Sequence, residues 1–328
     1  MPEGPAVGVV GATGAVGSVT LELLAERGFE NVRALASARS KGRTVAFGSR
    51  ELVVEEASPG ALSSGELELC FFSVGTATSR ELVPHAVEGG STVIDKSDAY
   101  RLTDGVPLVV AGVNDETVGP DDRIIANPNC SAMQLTCALR PLEDAAGLAS
   151  VRLATYQSMS GKGDEGIEQL RALAPTEGDL AMDWDFDGEE FSEEWKLRAE
   201  TRKILDLPQL PLSATCVRVP VLVGHAQAVW VETKTPLSPA EAGAVLAEAP
   251  HVELSDAVMP GEVAGTDTVH VGRIRRDPTS GNGLVLWVVN DNLRKGAALN
   301  AVQIAEGLLA RGLSGAGETP ASVADPRR

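Results

Sequence analysis

Pro5-Ala-Val-Gly-Val-Val10, then Gly11-Ala-Thr-Gly14-Ala-Val-Gly17, then Val19-Thr-Leu-Glu-Leu-Leu-Ala-Glu-Arg27 form the first unit that the chain can be expected to build. Residues 5–10 read as a short buried strand, the three glycines as a tight turn, and residues 19–27 as a helix. A strand, a glycine turn and a helix in that order open a dinucleotide-binding fold. Working outward, apolar runs recur at 31–37, 51–54, 67–74, 91–95 and 107–113, with a helical stretch near 78–89. Strand and helix signals that alternate in this way predict a largely parallel sheet. After Asn127-Pro-Asn-Cys130 the pattern changes. A helix over 131–146 leads to strands near 150–159, 212–223, 226–235, 268–275 and 284–289, several in period-two alternation, as in Val229-Trp-Val-Glu-Thr233. That pattern predicts a second, α+β domain on a mixed or antiparallel sheet. The expected division is a dinucleotide-binding domain over 1–128 plus 291–328 and a second domain over 129–290. Residues 294–311 have helical spacing, and the tail 312–328 is expected to fray.

Of 328 residues, 43% are hydrophobic and 23% charged, so the chain folds and is large enough for two domains. Its 28 basic and 46 acidic residues give a net charge of -18. Such a charge argues against nucleic acid or an anionic membrane as partner, and any anionic ligand must meet a local basic cluster. No apolar run reaches the roughly 18–20 residues of a membrane span, and no basic segment precedes the first strand, so a cytoplasmic location is expected. The four cysteines, Cys70, Cys130, Cys137 and Cys216, show neither paired nor metal-site spacing. Reduced thiols and no metal follow as expectations.

The turn Gly11–Gly17, with Thr13, Ala15 and Val16, allows a pyrophosphate to approach the N–H groups of a helix N-terminus. Past the second strand, Arg39 and Ser40 stand where an acid would serve NAD, and a basic residue there suits a 2′-phosphate, so NADP(H) is the expected cofactor. Asn129 is a candidate N-cap and Cys130 the first residue of the following helix, where a thiol ionises more readily. Cys70, Cys137 and Cys216 lie in apolar or regular segments and read as packed, inert thiols. Thiol chemistry needs a base near neutral pH, and His225, seven residues after Arg218, has the best context of the four histidines. Glu200 and Lys203, read alone, are a helical pair three residues apart of the kind usually solvated.

Together, the glycine turn, Asn127-Pro-Asn-Cys130, Tyr156-Gln157, Glu200-Thr-Arg-Lys203, Cys216-Val-Arg218-Val-Pro-Val, Gly224-His225 and Asp291-Asn-Leu-Arg-Lys-Gly296 resemble the aspartate-semialdehyde dehydrogenase family, in order, from about residue 5 to 311. The resemblance implies an α/β protein of the glyceraldehyde-3-phosphate-dehydrogenase-like type. Its N-terminal domain would be Rossmann-like and its second α+β domain catalytic and dimerising. It implies NADPH-dependent reduction of L-aspartyl 4-phosphate to L-aspartate 4-semialdehyde through a cysteine thioester, in lysine, threonine and methionine biosynthesis, by a homodimer or tetramer. By the same resemblance Cys130 is the nucleophile, His225 the acid/base, and Gln157 orients the substrate. Arg218 would bind the α-carboxylate, Arg101 and Lys203 the phosphate, and Glu200 the ammonium group. Asn129 would complete the substrate site, with Ser160, Gly161 and Asn292 joining the glycine turn, Arg39 and Ser40 at the cofactor.

Two features depart from the family pattern. Lys162 and Asp164-Glu165 place charge beside the expected nicotinamide position, and residues 176–194 are markedly acidic. Rival readings are N-acetyl-gamma-glutamyl-phosphate reductase, a paralogue with a shifted substrate, and a non-catalytic nucleotide-binding protein. The Asn-Pro-Asn-Cys, Glu-Thr-Arg-Lys and Arg-Val-Pro-Val blocks argue against the first, and the presence of Cys130, Gln157, Arg218 and His225 argues against the last.

Overall fold

The computed structural model describes residues 4–163, 165, 166, 168, 184–256 and 258–313. Contacts divide the chain into one unit of residues 1–109, 115–127 and 301–328 and another of residues 110–114 and 128–300.

The first unit begins with strand β1 (Val7–Val10), helix α1 (Ala15–Glu26) and strand β2 (Val32–Ala36). It continues through β3 (Thr44–Phe47), β4 (Arg50–Val53), β5 (Glu55–Glu56), α2 (Pro59–Leu62), β6 (Leu69–Phe72), α3 (Thr76–Glu88), β7 (Thr92–Asp95) and β8 (Ile124–Ala126). Six strands form one parallel sheet in the order β5-β2-β1-β6-β7-β8. Every residue of β1, β6 and β7 is buried, which is why these strands read as continuous apolar runs instead of alternating ones. From β1 the chain moves outward through β2 to β5, then returns to the other side of β1 at β6. The order therefore reverses at the carboxyl ends of β1 and β6, where open α/β sheets bind their ligands.

Two sequence expectations change here. The run 107–113 forms no strand; Leu108 makes a single bridge with Ala126, and the neighbouring strand is β8. Leu108 to Ala111 are buried as expected, but only Pro107 and Val109 pair with the β8 backbone, at Ala126, and side chains take over beyond them: Asn114 Oδ1 accepts from Val110 N–H at 2.9 Å and Asn300 Oδ1 from Ala111 N–H at 2.9 Å. The run 51–54 leaves the main sheet and pairs with β3 in a separate hairpin, with Val53 exposed.

The second unit contains α4 (Cys130–Ala146), β9 (Leu148–Gln157), α5 (Ser192–Leu205), β10 (Leu212–Arg218), β11 (His225–Thr233) and α6 (Pro239–Ala247). Strands β12 (Val252–Leu254), β13 (Val269–Arg276) and β14 (Gly283–Asn290) follow, then a π-helical segment Arg294–Leu299 and helix α7 (Asn300–Ala310), which from residue 301 counts with the first unit. The sheet order is β10-β9-β11-β14-β13-β12, with β9/β10 and β12/β13 parallel and the other pairs antiparallel. Alternation holds as expected: Val229 and Val231 are buried while Trp230 between them is exposed. Residues 291–300 and 110–114 divide differently from the expected boundaries, because Asn292 is bonded to Ser158 and Ser160 and Asn300 to Ala111. Residues 176–183 of the acidic stretch, Asp164, and the tail from 314 onward lie outside the described residues.

Candidate active site

Helix α4 starts at Cys130, and its preceding residue supplies the cap. Asn129 Oδ1 accepts from the Ser131 N–H at 2.7 Å, which satisfies one of the orphan donors of the first turn. The Cys130 thiol therefore sits at the positive end of a 17-residue helix dipole. It is also the only one of the four cysteines that is not buried. Burial raises the other thiols, Cys70 to about 11, with Cys137 and Cys216 also above the usual range. Buried and held in the thiol form, they are poorly placed to react, and Cys130 is the position suited to a nucleophile.

Two carboxylates of α5 hold the residue before the thiol. Glu200 Oε2 accepts from the Asn129 N–H at 2.7 Å, and Glu193 Oε1 accepts from Asn129 Nδ2 at 3.0 Å. Seven residues are two helical turns, so both side chains leave the same face of α5. Glu193 Oε1 also accepts from Gln157 Nε2 at 2.9 Å, and Gln157 Oε1 accepts from Thr155 Oγ1 at 3.0 Å. Lys203 lies on the same helix one turn after Glu200 and is half-buried.

The end of β9 meets the start of β11. His225 is fully buried, and its Nδ1 accepts from the Ser158 N–H at 3.0 Å. A backbone N–H can only donate, so the neutral ring carries its proton on Nε2, which is buried and has no hydrogen-bond partner among the described residues. Burial, and secondly the charge of Arg218, lower the His225 pKa to about 3. Arg218 is buried, donates from Nη1 to Ser158 O at 3.3 Å, and lies with its guanidinium carbon 4.7 Å from the centre of the Trp184 ring. Both groups crowd Gly161: a Cβ there would stand 3.0 Å from Arg218 Nη1 and 3.1 Å from His225 Nε2. Asn292 closes this end, its Oδ1 accepting from Ser158 Oγ at 2.9 Å and Gly224 N–H at 2.8 Å, and its Nδ2 donating to Ser160 Oγ at 3.0 Å.

The structure thus brings Asn129, Cys130, Gln157, Ser160, Gly161, Glu200, Arg218, His225 and Asn292 together in the second unit. Glu193, Ser158 and Trp184 join them without having been singled out in the sequence. Their signals there are an acid in a first helical turn, a serine after a glutamine and a tryptophan in an acidic run, none of which is specific. Lys162 pairs with Glu165 at 3.4 Å.

The first unit holds Gly11, Thr13, Gly14, Ala15, Val16, Gly17, Arg39, Ser40 and Arg101. The glycine turn fits a pyrophosphate. Gly11 has φ +88° and a Cβ there would lie 2.3 Å from Ser73 O, while a Cβ on Gly17 would lie 2.0 Å from Gly11 O. Only glycines let the loop fold this tightly between strand and helix. Gly14 caps α1 with no side chain, which leaves the first-turn N–H groups open to an anion. The Gly11 and Ala12 N–H groups both donate to Leu35 O, at 2.8 and 3.1 Å, tying the loop to the end of β2. Arg39, exposed, and Ser40 follow in a 3₁₀ turn Ala38–Ser40. Arg101 is buried, donating from Nε to Asn127 O at 3.0 Å and from Nη2 to Lys96 O at 2.6 Å.

Comparison with known proteins places the chain in a family. Residues 6–119 match the family model described as semialdehyde dehydrogenase, NAD binding domain, and residues 139–295 match semialdehyde dehydrogenase, dimerisation domain. The aspartate-semialdehyde dehydrogenase of Bacillus subtilis is 40% identical over 342 aligned positions that cover 94% of this chain and 98% of that protein. Aspartate semialdehyde dehydrogenase II from Vibrio cholerae, solved as a complex with ASA, superposes with a TM-score of 0.88 at 38% identity, covering 93% of this chain and 98% of that one. Aspartate semialdehyde dehydrogenase from Candida albicans, solved with NADP, gives a TM-score of 0.75 at 26% identity over 94% and 99% of the two chains. Identity at this level along nearly the whole of both chains, with both semialdehyde dehydrogenase domain models matched, makes this chain a member of the aspartate-semialdehyde dehydrogenase family.

Proposed function

We propose that this chain reduces L-aspartyl 4-phosphate to L-aspartate 4-semialdehyde with NADPH, releasing phosphate by way of a thioester on Cys130. The observation that carries the reading is the one part-exposed thiol of the chain, seated at the capped N-terminus of α4 in a member of this family. The Cys130 thiolate attacks the acyl carbon, the bond from that carbon to the phosphate oxygen breaks, and the electron pair leaves with phosphate. When bound, NADPH supplies the hydride that reduces the thioester carbon. His225 presents Nε2–H, the atom through which it would stabilise the oxygen of the tetrahedral species and exchange a proton with the thiohemiacetal. As that species collapses, the C–S bond breaks and the Cys130 thiolate is regenerated.

Arg218 is proposed to hold the substrate α-carboxylate with its planar fork, and Gln157 to orient the reacting group beside Cys130. Glu200, one oxygen of which holds the Asn129 N–H, would face the ammonium group with the other. Arg101 and Lys203 would hold the phosphate. The turn Gly11–Gly17 would cradle the NADP pyrophosphate, Arg39 and Ser40 its 2′-phosphate, and Ser160, Gly161 and Asn292 the nicotinamide end. A homodimer or tetramer is the proposed assembly, on the match to a dimerisation domain. The place in lysine, threonine and methionine biosynthesis follows from the reaction.

The test is reduction of NADP, and separately of NAD, by the purified protein with L-aspartate 4-semialdehyde in the presence and absence of phosphate. N-acetyl-glutamate semialdehyde is the control substrate. Activity that requires both phosphate and the aspartate compound, and that Cys130→Ala abolishes while NADPH still binds, is the expected result. Silence with both aldehydes, or turnover in Cys130→Ala, overturns the reading.

A further inference from the structure

The reading above leaves Glu193 without a task, although its carboxylate is buried and touches two residues of the site. A single oxygen, Oε1, accepts from Gln157 Nε2 at 2.9 Å and from Asn129 Nδ2 at 3.0 Å. Glu193 stands in the first turn of α5, where the helix dipole favours a negative charge. An ionised carboxylate accepts only, and that restriction decides how the two amides lie.

For Asn129 the orientation is doubly determined, since its Oδ1 must also meet the Ser131 N–H. For Gln157 the matter rests on Glu193 alone. The other contact, with Thr155 Oγ1 at 3.0 Å, is to a hydroxyl that can donate or accept and so tolerates either face of the amide. A flipped Gln157 would turn its carbonyl oxygen onto the carboxylate. Glu193 thus selects one of two nearly isosteric states of Gln157, and the same oxygen anchors the side chain that caps the helix of Cys130.

We propose that Glu193 is a positioning residue of the reaction: its carboxylate is the acceptor that holds Gln157 in one amide orientation beside Cys130, while Asn129, which it also touches, keeps its cap through the Ser131 N–H. The inference rests on Cys130, Gln157 and Asn129 forming the reaction centre.

Glu193→Gln keeps the shape but can present either a donor or an acceptor, so it no longer selects the Gln157 face. Glu193→Asp keeps the acceptor and withdraws it by one methylene. Steady-state kinetics of both variants with L-aspartate 4-semialdehyde, phosphate and NADP are expected to show kcat lowered by about 10- to 100-fold, the cost of slight misplacement of reacting groups. Both KM values, the NADPH affinity measured by fluorescence and the melting temperature are expected to hold. Alkylation of Cys130 by iodoacetamide should be no slower, which locates the loss outside the thiol itself. A kcat within about twofold of the parent in either variant overturns the proposal, as does a parallel loss of kcat, NADPH affinity and melting temperature, which would mark a purely structural residue. If Glu193→Gln does not fold, Glu193→Asp carries the test alone. The parent protein and Cys130→Ala run alongside: a parent without phosphate-dependent turnover defeats the functional reading, whereas an active parent with an unaffected Glu193 pair defeats only this inference.

Discussion

The Ser158 N–H donates to His225 Nδ1 at 3.0 Å, and this one bond sets the tautomer of the ring. With Nδ1 occupied as an acceptor, Nε2 carries the proton and is the atom left for substrate. His225→Gln, which removes the imidazole, is expected to lower kcat by about 100- to 10,000-fold, the usual range for an acid/base group. Because the ring of the ligand-free protein stays neutral down to about pH 3, any acid limb of kcat/KM between about pH 6 and 7 belongs to other groups. The pH profile of His225→Gln should therefore keep that limb, at lower amplitude; its loss would contradict a neutral His225.

The same depressed pKa makes folding pH-dependent. Below the unfolded value of about 6.5 the unfolded chain binds a proton that the folded chain refuses until about pH 3, so stability falls as pH falls through that window. For one group the loss approaches about 1.4 kcal/mol per pH unit, or about 2 kcal/mol between pH 6.5 and pH 5. Urea unfolding of the parent and of His225→Gln at pH 7 and pH 5 should show the parent losing about 2 kcal/mol more than the variant. Equal losses would mean that the ring is protonated in the folded state.

The parts of this molecule legible in its sequence are those where a local pattern has one physical solution. The run from Pro5 to Arg27 has a spacing only a strand, a tight turn and a helix satisfy, and the structure places β1, the Gly11–Gly17 turn and α1 there. Asn129-Cys130 is similarly local, because a cap and the first residue of a helix are neighbours in the chain. Contacts across long separations were not legible. Glu193 reaches Gln157 across 36 residues and Ser158 reaches His225 across 67, and nothing in either neighbourhood encodes the partner. Residues 107–113 differ for another reason: the run is apolar with a buried centre, but after Val109 the Asn114 and Asn300 side chains, instead of a neighbouring strand, accept from the Val110 and Ala111 N–H groups.

Arg39 is exposed on the turn that follows β2, two residues after Ser37, and the glycine loop is bonded to the end of that strand. A charged hydrogen bond to a 2′-phosphate contributes about 1.5–3 kcal/mol. Arg39→Ala is thus expected to weaken NADPH by about 10- to 100-fold while leaving NADH nearly unchanged. Fluorescence titration with both nucleotides checks this, and an equal effect on the two would remove Arg39 from phosphate recognition.

Gly161 lies where Arg218 and His225 converge. A methyl group there would stand 3.0 Å from Arg218 Nη1 and 3.1 Å from His225 Nε2, so each must give by a few tenths of an ångström. Neither has much room, since both are buried and bonded to Ser158. Gly161→Ala should lower kcat/KM by about 10-fold or more with little change in melting temperature. An unchanged kcat/KM would show that the two groups are free to shift.

Trp184 presents its ring to the Arg218 guanidinium, whose carbon lies 4.7 Å from the ring centre, while Arg218 Nη1 donates to Ser158 O at 3.3 Å. The ring restrains the fork without competing for its hydrogen bonds, because the cation is attracted to the π-face while its N–H groups stay in plane for a carboxylate. A stacked cation of this kind is worth about 0.5–2 kcal/mol, which converts to about 2- to 30-fold in affinity. Trp184→Ala is expected to raise KM for the semialdehyde by that factor with kcat nearly constant, and Trp184→Phe to recover part of it. Arg218→Lys, which keeps the charge but loses the fork, should raise KM further than Trp184→Ala does. If Trp184→Ala instead lowers kcat at constant KM, the ring acts on the reacting centre and not through the carboxylate-binding arginine.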